Sequence, residues 1–222
     1  MSGKPMDERQ VRGEVQELER QLIAMGNMVE SLFADSVMAL VERTPGVLPG
    51  LRAEDCRAHE RWLEIDKFCT ELLINGELDP EQVRFISAAI KIASDLKRTA
   101  DECVRIGEGV RSCELDSLAT AGSLASIPPM AALTQSMLSD AIEAFIRRDA
   151  AQAAALHLVF RELASLNGRA VKELSEGIAG GEIPAAVGAA FVGVAQRLER
   201  IGDDVLSIAN QVRHLDLRNS HQ

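Results

Sequence analysis

The chain contains no tyrosine, one tryptophan and only 3% aromatic residues, and its seven prolines are too few to punctuate many short strands. A β-sandwich or barrel needs aromatic and β-branched residues with frequent turns, so an all-α protein is expected from its Ala, Leu, Glu, Arg and Gln. Positive charge is also short. Lys and Arg number 24 against 34 Asp and Glu, a net charge of −10, so a phosphate backbone meets repulsion and nucleic acid is excluded as a partner. The four cysteines, Cys56, Cys69, Cys103 and Cys113, form no Cys-x-x-Cys pair. They fit neither a zinc ribbon nor a secreted disulfide framework and read as reduced, mostly buried thiols.

Long apolar runs are missing as well. The first twenty residues alternate charges through Lys4, Asp7, Glu8, Arg9, Arg12 and Glu14, without an apolar core or a small-residue cleavage site. A cytoplasmic location is the expectation. The longest uncharged stretch, Ser117–Ser139, carries Gly122, Pro128 and Pro129 and reads as a linker; Ile183–Gln196 is apolar but too short to span a bilayer. No glycine-rich loop leads into Lys-Ser or Lys-Thr, so the chain has no phosphate cradle of that kind. No nucleophile-elbow sequence accompanies a Ser, His and Asp set, and an enzyme is not expected.

With 222 residues there is room for one large domain or two repeats. Leu18, Leu22, Met25, Val29, Leu32, Ser36 and Ala39 recur at spacings of four and three, the seam of a long amphipathic helix from about Glu8 to Glu42. Pro45, Gly46, Pro49 and Gly50 break it, and a second helix runs from about Leu51 to Ile74, before Asn75-Gly76. Asp79-Pro80 is an N-cap and first-turn pair for a third helix through Val110. Three more helices follow, over about Met130–Arg148, Ala150–Gly177 and Pro184–His214.

The halves repeat. At an offset of 102 residues, Ala88/Ala190, Ala93/Ala195, Leu96/Leu198, Arg98/Arg200, Asp101/Asp203, Ile106/Ile208 and Val110/Val212 are identical pairs. Helices one and four align at 105, with Asp35/Asp140 and Ala39/Ala144 identical. The expectation is two tandem three-helix bundles, residues 1–118 and 119–222, in which each helix hides its stripe against its neighbours. Self-association into a homodimer is also expected.

Leu198-Glu199-Arg200-Ile201-Gly202-Asp203 is the most distinctive segment. Glu199 and Asp203, four apart, leave one helix face together, a spacing that holds a cation between carboxylates or pairs with Arg197 and Arg200 in solvent. Gly202 costs about 1 kcal/mol in a helix interior and points to close packing there. In the first repeat the segment reads Leu96-Lys97-Arg98-Thr99-Ala100-Asp101: the aspartate stays, but a lysine that would repel a cation replaces the glutamate. Asp55 and His59, again four apart, with Glu64 and Asp66 beyond them, are candidates to complete a site from the preceding helix. His59 reads equally as a surface side chain.

The chain resembles the PhoU family of phosphate-uptake regulators. The resemblance is carried by Met25-Gly26-Asn27-Met28-Val29-Glu30, Asp55, Asp66, Arg84, Leu96-x-Arg98-x-x-Asp101 and Leu198-Glu199-Arg200-Ile201-Gly202-Asp203, and covers about Val15 to Val212. It implies two tandem three-helix bundles and a non-enzymatic cytoplasmic regulator acting between a phosphate ABC transporter and a membrane sensor histidine kinase. It also implies metal ligands, for iron, zinc, manganese or magnesium, at Asp55, Asp66 and Asp101 in the first repeat and Glu199 and Asp203 in the second. By the family pattern Lys97, His59, Trp62, Phe160 and Ala164 stand where acids are expected.

Overall fold

A computed structural model describes residues 8–42, 45–111 and 126–216 of the chain. Six long helices account for nearly all of them: α1 (Glu8–Glu42), α2 (Leu48–Asn75), α3 (Pro80–Arg111), α4 (Ile127–Arg147), α5 (Ala150–Ala179) and α6 (Ala185–Asp216), with a single 3₁₀ turn at Pro45–Val47. They form two three-helix bundles in tandem, α1–α3 and α4–α6, as the repeat predicts. The expected boundary at 118/119 and the Cys113 thiol lie outside the described residues.

Local chemistry explains where the helices begin. Asp79 caps α3, accepting from the backbone N–H groups of Glu81 at 2.8 Å and Gln82 at 2.9 Å, while the Gln82 side chain accepts from the Asp79 N–H at 3.0 Å. Three backbone donors are satisfied by this reciprocal pair of side chains. Three prolines expected to break or separate helices instead open them. Pro49 lies in the first turn of α2, and Pro128 and Pro129 lie in the first turn of α4, where a missing N–H costs nothing. The part of the uncharged stretch from Ile127 onward is therefore helix and not linker, a correction to the sequence reading. Asp149 caps α5 through the N–H groups of Ala151 and Gln152, both at 2.9 Å.

The predicted seam is the core of α1. Leu18, Leu22, Met25, Val29, Leu32, Ser36 and Ala39 are all buried, and the Ser36 hydroxyl donates to the Phe33 carbonyl at 2.7 Å. By length and composition α1 is apolar enough to cross a membrane, but its stripe faces the other helices of the protein. Cys69 and Cys103 are buried free thiols, while Cys56 is exposed. Burial pushes the Cys69 thiol up to about 12, which makes it inert at neutral pH.

The two bundles join along α3 and α6, with α1 against α4. Arg98 of α3 pairs with Asp204 of α6 at 2.8 Å, and Arg200 of α6 reaches Glu102 of α3 at 3.6 Å. Each pair is the image of the other under the 102-residue offset, so α3 and α6 cross antiparallel about a pseudo-twofold axis. A second tie comes from the α4–α5 corner. Arg148 takes a left-handed conformation (φ 55°), which costs a non-glycine residue about 1 kcal/mol. Its guanidinium reaches Glu19 of α1 at 3.2 Å and stands over the Phe85 ring of α3, 5.8 Å from its centroid.

Candidate functional site

In the first repeat α2 and α3 bring together two of the predicted acids and one unexpected partner. The Lys97 ammonium lies 2.6 Å from Asp101 on its own helix and 3.1 Å from Asp55 across the helix pair. The Lys97 side chain is only 13% exposed. Burial alone would draw the ammonium down, but the hydrogen bonds it donates to Asp101 and Asp55 outweigh it and hold Lys97 above the usual lysine range. The cationic form is thereby secured.

His59 and Asp66 do not join this group. His59 is exposed and its ring leans on Trp62, centroids 5.4 Å apart. Asp66 is exposed eleven residues along α2 from Asp55, roughly 16 Å at 1.5 Å per residue.

The second repeat is built differently at the matching place. Glu199 accepts from the side-chain amide of Asn167 on α5, and the other atom of that amide, Asn167 Oδ1, is buried without a partner among the described residues. Asp203 is exposed one turn on, and partial burial holds its carboxyl above the ordinary range. Gly202 shows why this helix tolerates a glycine: a Cβ there would stand 2.5 Å from Leu163 Cδ2 and 3.1 Å from Phe160 Cδ2. Phe160, where the family pattern expects an acid, is the side chain that packs onto α6 at this close approach.

Between the two places runs a charged seam that sequence reasoning missed. Glu102, whose side chain is 8% exposed, accepts from Arg105 at 2.7 Å and from Arg197 at 3.0 Å and also faces Arg200. Arg98 bridges Asp95 and Asp204. Burial dominates both aspartates. It raises the Asp95 carboxyl despite bonds to Ser207 and Arg98, and raises Asp204 to about 6 despite its pairing with Arg98. Among the described residues Asp95 Oδ2 is buried without a partner. The seam borders a groove of about 410 Å³ onto which Asp101 and Asp203 also open. One signal for it was in the sequence: Glu102 and Asp204 are offset mates, each directly following a signature aspartate.

The first-repeat residues do not fit a metal ion, because an ammonium already stands between their two carboxylates. The second repeat offers two carboxylates on one helix and an amide from its neighbour. Among the described residues no three His, Cys, Asp or Glu side chains converge on a point that would hold a metal ion.

The PhoU domain matches residues 22–110 and 127–212, once in each bundle. Phosphate-specific transport system accessory protein PhoU homologues from Pseudomonas putida and Pseudomonas aeruginosa are each 26% identical over 93% of this chain, which covers 80% and 85% of their respective lengths. Two crystal structures share the fold at a TM-score of 0.86. One is the phosphate transport system regulatory protein PhoU of Streptococcus pneumoniae, 22% identical, with 93% of this chain and 97% of that one covered. The other is PhoU of Pseudomonas aeruginosa, 24% identical, with 95% and 100% covered. With a PhoU domain in each of its two antiparallel bundles, the chain belongs to the PhoU family.

Proposed function

We propose that this protein is an accessory regulator of phosphate transport that performs no chemistry and acts by binding partners. The observation that supports this best is the match of both bundles to the PhoU domain, together with relatives named as phosphate-specific transport system accessory proteins. In this reading the protein works in the cytoplasm as an adaptor between a phosphate ABC transporter and a membrane sensor histidine kinase. It lowers uptake and starvation signalling when phosphate is plentiful, through a shift in which partner conformations it stabilises. The α3–α6 seam supports such a role, because cross-bundle ion pairs hold two helical faces in one orientation for a partner to read. Self-association as a homodimer is part of the reading, with Ile74 at 73% and Leu158 at 68% exposure as apolar surface available to it.

The test is phosphate uptake and starvation-gene output in the native host, in phosphate-rich medium, with and without the protein. Loss of the protein is expected to switch both on. No change in either overturns the proposal.

A second reading, metal binding in a role such as metal homeostasis or storage, has one observation in its favour. Asn167 Oδ1, buried and without a partner among the described residues, belongs to the amide that bonds Glu199, and Asp203 follows Glu199 by one turn of α6. A hard divalent cation would take oxygen ligands of this kind. Elemental analysis of protein purified without a metal-affinity tag is expected to find stoichiometric metal under this reading; its absence removes the reading and leaves the adaptor proposal intact.

A further inference from the structure

We propose that Lys97 is the resident cation of the first repeat: its ammonium, held between Asp55 of α2 and Asp101 of α3, stands where a metal ion would have to stand, so this repeat works without one. The geometry is that of an occupied site. Nζ lies 2.6 Å and 3.1 Å from the two carboxylates, whereas a hard divalent ion would need oxygens at roughly 2.0 to 2.6 Å around the same point. The ammonium makes its two bonds on two different helices, so it also clamps α2 to α3, as a bridging ion would.

Charge and surroundings agree with this. Two carboxylates carry −2, and Lys97 supplies +1 without leaving the site. A divalent ion added beside it would place +3 against −2 at a lysine whose side chain is 13% exposed. The neighbouring acids are engaged elsewhere: Glu54 pairs with Arg57 at 2.8 Å, and Glu102 turns to the arginines of the seam. His59 stays exposed against Trp62. The offset mate of Lys97 is Glu199, so the two repeats carry opposite charge at one position of a shared fold. The proposal concerns the first repeat and stands independently of the phosphate-regulator reading.

The experiment uses the full chain carrying Glu199→Ala and Asp203→Ala, which silences the second repeat, and reads melting temperature and Mn²⁺ binding by calorimetry. In this parent no Mn²⁺ binding should depend on Asp55. Adding Lys97→Ala should lower the melting temperature by several degrees, and millimolar Mn²⁺ or ethylammonium should recover part of the loss while leaving the parent unmoved. Lys97→Glu should create saturable binding of one Mn²⁺ per chain that Asp55→Asn abolishes. Mn²⁺ binding by the parent that is lost with Asp55→Asn overturns the proposal. So does a Lys97→Ala variant that melts with the parent and gains nothing from either cation. If Lys97→Glu does not fold, the parent and Lys97→Ala measurements decide alone.

Discussion

The two repeats share a fold and a signature yet close the same place in opposite ways. In the first, a lysine on α3 neutralises carboxylates from two helices; in the second, a glutamate at the matching position of α6 accepts a hydrogen bond from the Asn167 amide, whose oxygen has no partner among the described residues. Duplication thus preserved what the helices need for packing, the Leu96/Leu198 and Ala93/Ala195 pairs. It let the polar face diverge, because that face is constrained by partners and ligands more than by the core.

The largest effect should come from the part that did not diverge. Leu96 and Leu198 are both buried in the core, so Leu96→Ala and Leu198→Ala should each cost about 3 kcal/mol in urea unfolding. A cost below about 1 kcal/mol for either one would show that the two bundles are not equivalent in packing. The next effect should separate the halves of the seam. Glu102→Ala strands three arginines that share one nearly buried carboxylate; since those arginines are themselves partly exposed and able to turn to water, the expected loss is about 2 kcal/mol. Its offset mate Asp204 has one arginine, so Asp204→Asn should cost less at neutral pH. Equal losses would make the pseudo-twofold seam energetically symmetric.

Acidity should sharpen the same contrast. The Asp204 carboxyl is raised from 3.8 to about 6, so between these values the folded state holds a proton that the unfolded state has released. Its contribution to stability therefore falls as pH rises from about 4 to 6. Melting curves across this range should show that Asp204→Asn removes this part of the slope; an unchanged slope would mean that Asp204 ionises normally. The smallest effect belongs to the distinctive motif itself. Asp203 is exposed and makes no ion pair among the described residues, so Asp203→Ala should change stability by less than about 0.5 kcal/mol while weakening partner binding in a pull-down. A loss of several kcal/mol would make it a structural residue.

Much of this architecture was legible in the chain. The four-and-three spacing from Leu18 to Ala39, the Asp79-Pro80 cap and the 102-residue offset all act locally or by periodicity, and the six helices follow them closely. Gly202 was legible as a close approach, although only the fold names Phe160 and Leu163 as what approaches. Pro128 and Pro129 misled, since a proline pair reads alike as linker or as a helix's first turn until the neighbouring helices decide. Among the candidate site residues, Asp55 and Asp101 are brought together by the fold, around Lys97. Sequence had no means of showing that Asp66 lies three turns along α2 from Asp55, or that Lys97, expected to repel a cation, would bridge two of the acids. Glu102 and Asp204 escaped because they look like ordinary surface acids until α3 is laid across α6.

By itself, then, the sequence determined the all-α class, the helices and the duplication, since these depend on propensity and on the period of apolar residues along one chain, and it pointed to the family through the motifs that resemble it. Which carboxylates meet, which cation answers them and how the two bundles cross were decided only by the tertiary structure. Those contacts depend on the register between helices far apart in the chain, and a shift of one turn exchanges a buried ion pair for two solvated charges.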